Sequence, residues 1–223
     1  MAIVALLMDA GGVLYHRPRE DRHLAAFLSQ YGLPLRHRQV VERALRAARF
    51  DVQSGRISRD LFYDAILRFH GVQDEELFLI GREALLADAA DIELFPGVRE
   101  TLEALYNAGY LLGVVSDTAH TAEEKVDWLA ARGLSPELWS AFVVSSETGL
   151  LKAGGAIFEH ALAQMGISSV TEAAYIGHDA DELALAQDLG LATIAFMPDD
   201  PRVPVDYTIS SFYGLQDLFL DHA

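Results

Sequence analysis

The sequence predicts an α/β protein: a doubly wound parallel sheet with a small all-α domain inserted after its first strand. Three observations lead there. Ile3 to Asp9 run almost wholly apolar and stop on a carboxylate, which suits a parallel strand buried on both faces. From Leu94 onward, short apolar runs alternate with segments of helical periodicity, the texture of repeated strand–helix units. Between the two lie about 75 residues of helical periodicity, far too many for a plain connection. The expected division is a core of residues 1–15 and 94–223 and a helical domain of residues 16–93.

Each element has its own signal. Gly11 and Gly12 follow Asp9, allowing a tight turn and a close approach of backbone amides to a ligand. Asp9 is thereby delivered at the carboxyl end of a central strand, where open α/β sheets bind ligands. Leu24, Phe27, Leu28 and Tyr31 repeat at helical spacing, and Gly32-Leu33-Pro34 ends that helix. Val40, Val41, Ala44, Leu45 and Ala48 predict a second helix. Leu61 to Phe69 predict a third, stopped by Gly71, and Leu77 to Leu85 a fourth. Pro96-Gly97 opens a helix through Val98, Leu102, Leu105 and Tyr106 that Gly109 closes. Tyr110 to Ser116 is a second buried strand. Thr121 with Glu124 forms a capping box, and Ser135 caps a turn beginning at Pro136. Ala141 to Ser145, Ala173 to Gly177, Leu191 to Phe196 and Tyr207 to Ile209 complete the strands. Helices are expected at Ile157 to Met165 and Leu183 to Leu189.

Charge narrows the partners. The chain has 223 residues and a net charge of −16, from 17 basic and 33 acidic side chains. Such acidity disfavours nucleic acid and anionic membranes, and an anionic substrate requires a local positive site. No cysteine is present, so thiolate zinc and cysteine nucleophiles are excluded, in keeping with a cytoplasmic location. The apolar start has no basic segment before it and Asp9 interrupts it, which does not read as a signal peptide or membrane helix. Oligomeric state has no signal in the sequence.

Parallel strands present their carboxyl ends on one edge, so Ser116, Lys152 and the Asp179, Asp181, Glu182 cluster can converge with Asp9. A carboxylate nucleophile, a hydroxyl, a lysine and further carboxylates fit phosphoryl transfer through an aspartyl-phosphate. In that chemistry Asp9 attacks phosphorus and Ser116 with neighbouring amides, including Gly12, holds the non-bridging oxygens. Lys152 neutralises charge, and the distal carboxylates bind Mg²⁺. Asp117 borders the same substrate-binding loop, although strand alternation turns it away from Ser116 into a structural role.

In this order, LLMDAGGVL, LLGVVSDT, ETGLLKAGGAIF and AAYIGHDADELALAQDLGLATI resemble the haloacid dehalogenase superfamily of hydrolases. The resemblance spans nearly the whole chain. It implies a Rossmann-like core, a helical cap between the first two core strands, and phosphatase activity on a small phosphate ester. It also implies Mg²⁺ held by Asp9, by the backbone carbonyl of residue 11 and by a carboxylate after the fourth strand. Three positions depart from the family pattern. Gly11 stands where phosphatases of the family carry a second Asp, the general acid and base. Ala153 replaces a usual Pro after the lysine. Gly177-His178 replaces a usual Gly-Asp, leaving Asp179 as the nearest substitute ligand. The missing acid is shared with 2-haloacid dehalogenases, in which the Asp attacks carbon, and it is also what a non-catalytic ligand-binding relative would show. His178 reads as a turn residue, a metal ligand or a proton shuttle. His16 is close enough in sequence to reach the site from the hinge. Exposure is nevertheless the expected state of His16, His23, His37, His70, His120, His160 and His222.

Overall fold

The apolar run at the start of the chain forms β1 (Ala5–Met8), and all four of its side chains are buried. β1 lies at the centre of a six-stranded sheet in the computed structural model, which describes residues 3–220. The chain leaves the sheet through β2 (Tyr15–His16) and five helices: α1 (Arg22–Gln30), α2 (Arg38–Ala44), α3 (Arg46–Gln53), α4 (Arg59–His70) and α5 (Glu75–Ala90). It returns through β3 (Glu93–Leu94). Strands and helices then alternate: α6 (Val98–Asn107), β4 (Leu111–Ser116), α7 (Ala122–Ala130), β5 (Trp139–Val144), α8 (Ser145–Thr148) and α9 (Ala156–Gln164). The chain finishes with β6 (Ala173–Gly177), α10 (Ala180–Asp188), β7 (Ala192–Phe196), β8 (Tyr207–Ile209) and α11 (Gly214–Phe219).

The sheet order is β5-β4-β1-β6-β7-β8 and every pairing is parallel. β1 pairs with β4 (Ala5 to Leu111) on one side and with β6 (Ala5 to Ala173) on the other. The winding direction reverses beside β1, and the crevice at such a switch point is where open parallel sheets bind ligands. Alternation along β1 divides its side chains between two layers. Leu6 and Met8 pack with α6, α7 and α11, whereas Ala5 and Leu7 pack with α9 and α10. A strand with no exposed face cannot carry polar residues cheaply, which explains its unbroken apolar run.

The helical segment has clusters of its own. One gathers Leu24, Phe27, Leu28, Leu67 and Phe78, and another Val52, Phe62 and Tyr63. Asp21 makes no side-chain cap for α1. Asp88 of α5 accepts instead from the His23 and Leu24 amides (2.7 and 2.9 Å), satisfying donors the helix cannot. Both chain crossings run through a small antiparallel ribbon in which Tyr15 faces Leu94 and His16 faces Glu93. The Phe95 amide extends it by donating to the Leu14 carbonyl (3.1 Å).

Several expectations change. The single helix expected around Val40 to Ala48 is two, turning at Leu45 (φ −105°, ψ 17°) with no Gly or Pro to mark the break. α2 buries no side chain, whereas α3 buries Val52, so the two pieces follow different neighbours. β2, β3, α8 and α11 are too short to carry a periodic signal. His70 and His120 are buried, not exposed. His70 Nδ1 accepts from the Arg36 amide (3.1 Å), and burial pushes its pKa down. His222 lies outside the described residues.

Candidate active site

Asp9 leaves the end of β1 with its amide donating to the Ile176 carbonyl (3.0 Å), so the pairing with β6 continues to the residue that carries the carboxylate. Only 6 % of Asp9 is exposed. Its Oδ1 accepts from the adjacent Ala10 amide (2.7 Å). Its Oδ2 faces Lys152 Nζ at 3.1 Å and His178 Nδ1 at 3.6 Å. Ser116, at the end of β4, lines the same cavity of about 500 Å³, as do Gly11, Asp117 and Glu182.

Lys152 reaches Asp9 from a 3-10 turn after α8. The amide of Lys152 donates to Asp117 Oδ1 (3.1 Å), so Asp117 holds the lysine's loop, the structural role that strand alternation predicts for it. Burial pushes the Asp117 carboxyl up, opposed by that amide. Lys152 Nζ also donates to Glu182 Oε2 (2.6 Å), which accepts from the Tyr175 hydroxyl as well (2.9 Å). Burial alone would lower the lysine's pKa; Asp9 and Glu182 outweigh it and hold the ammonium above its ordinary value. Burial raises Glu182, with Lys152 pulling the other way. Lys152 therefore stays charged across the neutral range, clamped between two carboxylates.

Gly12 and Asp179 differ from their sequence reading. The Gly12 amide donates to the Tyr15 carbonyl (2.8 Å), so it closes the turn and does not point at a ligand. The glycine is required there because φ is +80° and the His178 ring lies 2.7–2.9 Å from where a Cβ would stand. Asp179 Oδ1 accepts from the Glu182 amide (3.0 Å) as the N-cap of α10. This bears on Mg²⁺, which takes about six oxygen ligands in near-octahedral array. Asp179 is engaged as a cap, Glu182 by Lys152 and Tyr175, and an imidazole stands beside Asp9 in place of a carboxylate. Among the described residues no three acidic or histidine side chains gather as a metal group. With an imidazole nitrogen where a carboxylate ligand would stand, the side-chain donors beside Asp9 do not fit Mg²⁺.

Sequence reasoning missed Lys125, Arg17, Arg38 and Arg49, which bring positive charge to the cavity. Arg17 Nε donates to the Ala89 carbonyl (3.1 Å), and Arg38 and Arg49 pair with Glu42 (2.9 and 3.5 Å). No motif marks these residues; their shared signal is only that they are basic in a strongly acidic chain. His16 is exposed and packs at a tilt against Phe95 (ring centroids 5.0 Å apart) outside the cavity. The helical segment touches the core rim through Arg59, which donates to Glu124 Oε1 of α7 (2.6 Å), and Gln53, which donates to the Asp117 carbonyl (3.3 Å).

A family model for haloacid dehalogenase-like hydrolases matches residues 3–190. No curated protein matches the sequence. Among solved structures, a 2-haloacid dehalogenase from Pseudomonas syringae pv. tomato DC3000 superposes with a TM-score of 0.73 at 20% identity, over 99% of this chain and 100% of that one. The HAD hydrolase YfnB from Bacillus subtilis, in a magnesium-bound form, gives 0.75 at 17% identity over 98% and 99%. A predicted phosphoglycolate phosphatase from Haemophilus somnus 129PT gives 0.68 at 18% identity over 97% of each chain. At these identities the likeness is one of fold.

Proposed function

Because the chain belongs to the haloacid dehalogenase-like hydrolases, we propose that it hydrolyses small phosphate monoesters through a covalent intermediate on Asp9, with residues 16–93 acting as a cap over the substrate. The observation that supports phosphate is the cavity itself. In a chain of net charge −16 it is bordered by Arg17, Arg38, Arg49, Lys125 and Lys152, which suits a substrate with more than one negative charge.

In the first step an Asp9 oxygen attacks phosphorus in line and the ester P–O bond breaks, the electron pair leaving with the alcohol oxygen. Lys152 offsets the charge of the nucleophile and of the phosphoryl oxygens, and the Ser116 hydroxyl donates to one of those oxygens. In the second step water attacks phosphorus, the Asp9 acyl–phosphate bond breaks, and phosphate is released with the carboxylate restored. No side chain at residue 11 protonates the leaving group, so leaving groups that depart as stable anions are favoured: aryl and acyl phosphates over alkyl esters. The test is phosphate release from p-nitrophenyl phosphate and acetyl phosphate, with and without EDTA. Since the donors beside Asp9 are nitrogen atoms, the rate is expected to fall less than threefold in EDTA. A loss above a hundredfold that Mg²⁺ restores would return a metal to the site.

A second reading is favoured by one observation. A halide needs neither a proton nor a metal to leave, and the site has no acid at Gly11 and no fit for Mg²⁺. Halide release from 2-chloropropionate without phosphate release from either ester would replace the phosphatase reading by dehalogenation.

Residue 11 gives a sharper check. Gly11 does not have positive φ, and its nearest neighbour to an added Cβ is Tyr15 Cε2 at 3.9 Å, so a side chain fits without strain. Gly11→Asp is expected to raise kcat on alkyl phosphates at least tenfold more than on p-nitrophenyl phosphate, since general acid catalysis is commonly worth about 10² to 10⁴. Equal effects on both esters would show that the proton comes from elsewhere.

A further inference from the structure

Lys125 is a buried cation without a counter-ion. It sits on α7 with 4 % of its surface exposed, and its ammonium donates to the Tyr15 hydroxyl (2.8 Å). Among the described residues no carboxylate lies within ion-pair distance of it. The same holds for Arg17, whose guanidinium meets the Ala89 carbonyl and the Tyr15 ring. Both cations converge on that ring, Arg17 Cζ at 5.7 Å and Lys125 Nζ at 5.4 Å from its centroid. The other arginines of the cavity differ, because Arg38 and Arg49 already have Glu42. Nor does His120 supply the missing charge: burial first, then Lys125 and Arg59, push its pKa down to about 3, so it is neutral.

A buried ammonium without an anion is costly, and the cost is relieved when an anion enters. The place of this pair says which anion. Both residues line the cavity that holds Asp9 and Lys152, and the Tyr15 ring they share lies against Gly11, two residues from the nucleophile. Lys152 is occupied by Asp9 and Glu182, so it is not the residue that reads the far end of a substrate.

We propose that Arg17 and Lys125 form an anion subsite for a second negative oxygen group, carboxylate or phosphate, on a substrate whose first phosphate reacts at Asp9. This rests on the phosphatase reading and narrows its substrate class to small phosphate esters that carry another anion. Tyr15 is the positioning residue of the pair, holding Lys125 through its hydroxyl.

The test measures binding without turnover, by titration calorimetry on the Asp9→Asn protein. Three esters differ only at the far end: ethyl phosphate, 2-phosphoglycolate and ethane-1,2-diyl bisphosphate. At least one of the two doubly anionic esters is expected to bind tenfold or more tighter than ethyl phosphate, and which one does so names the group. Lys125→Met and Arg17→Gln, each in the same background, are expected to shrink that ratio to about twofold, and Lys125→Arg to retain most of it. Arg17→Gln keeps the test open if the buried Lys125→Met fails to fold. Equal affinity for all three esters, no binding of any, or a ratio untouched by Arg17→Gln overturns the subsite. Phosphate release from p-nitrophenyl phosphate by the parent protein decides the phosphatase reading separately, since that ester has no second anion.

Discussion

Asp9→Asn is expected to lower kcat by at least about 10³-fold while the protein stays folded, because an amide oxygen is a poor nucleophile. The substitution is nearly isosteric. The Ala10 amide, 2.7 Å from Oδ1, can donate to an amide oxygen as it does to the carboxylate, and Lys152 retains Glu182 at 2.6 Å. The local scaffold therefore keeps its main contacts while the charge that attacks is removed. Steady-state rates on p-nitrophenyl phosphate and a thermal melt check both halves. Activity within tenfold of the parent would take Asp9 out of the mechanism, for phosphoryl transfer and dehalogenation alike.

Lys152→Ala is expected to cost about 3 kcal/mol or more in kcat/KM, roughly two orders of magnitude, as loss of a charge clamp at a dry reacting centre commonly does. It is also expected to destabilise the fold by about 3 to 5 kcal/mol, since it strips the cation from a buried group of carboxylates. The pH dependence carries a sign. Burial already raises the Glu182 pKa above its unfolded value, and Lys152 is the cation that limits the rise. A carboxyl raised on folding loses stability as pH climbs from its unfolded toward its folded pKa. Without the lysine that rise is larger, so the deficit in Tm relative to the parent should widen from about pH 5 to about pH 8. A deficit that narrows over this range would mean that Glu182 is not held in check by Lys152. An unchanged kcat/KM would place Lys152 outside the chemistry.

Much of this was legible in the sequence, and the limits have physical causes. Strands buried on both faces appear as apolar runs, so β1, β4 and β6 could be read directly, and the capping box at Thr121 and Glu124 is present as expected. The convergence of Asp9 with Lys152 follows from a parallel sheet presenting its carboxyl ends on one edge. What could not be read was direction. Asp179 and Glu182 are both acidic residues after β6, yet one caps a helix and the other clamps a lysine; which does which depends on side-chain orientation at the start of α10. Gly12 looked like a donor for a ligand and instead closes a turn with Tyr15. Lys125 and Arg17 were invisible because their meaning lies in the absence of a counter-ion, a property of three-dimensional neighbours.

The central position of β1 bears on how the protein is made. Its two partners in the sheet, β4 and β6, come from far along the chain: Ala5 pairs with Leu111 and with Ala173. During synthesis the first strand thus emerges before both partners and stays without either while the helical segment is produced. It gains its second neighbour only after β6 (Ala173–Gly177) has left the ribosome. Long-range pairings of this kind slow folding and leave apolar segments exposed meanwhile. The nucleophile is translated before the side chains that surround it, since Lys152, His178 and Glu182 all follow β5. A nascent chain stalled before β6 would carry Asp9 on a hydrophobic strand still open along one edge, a species for chaperones and proteases to handle and not a partly working hydrolase.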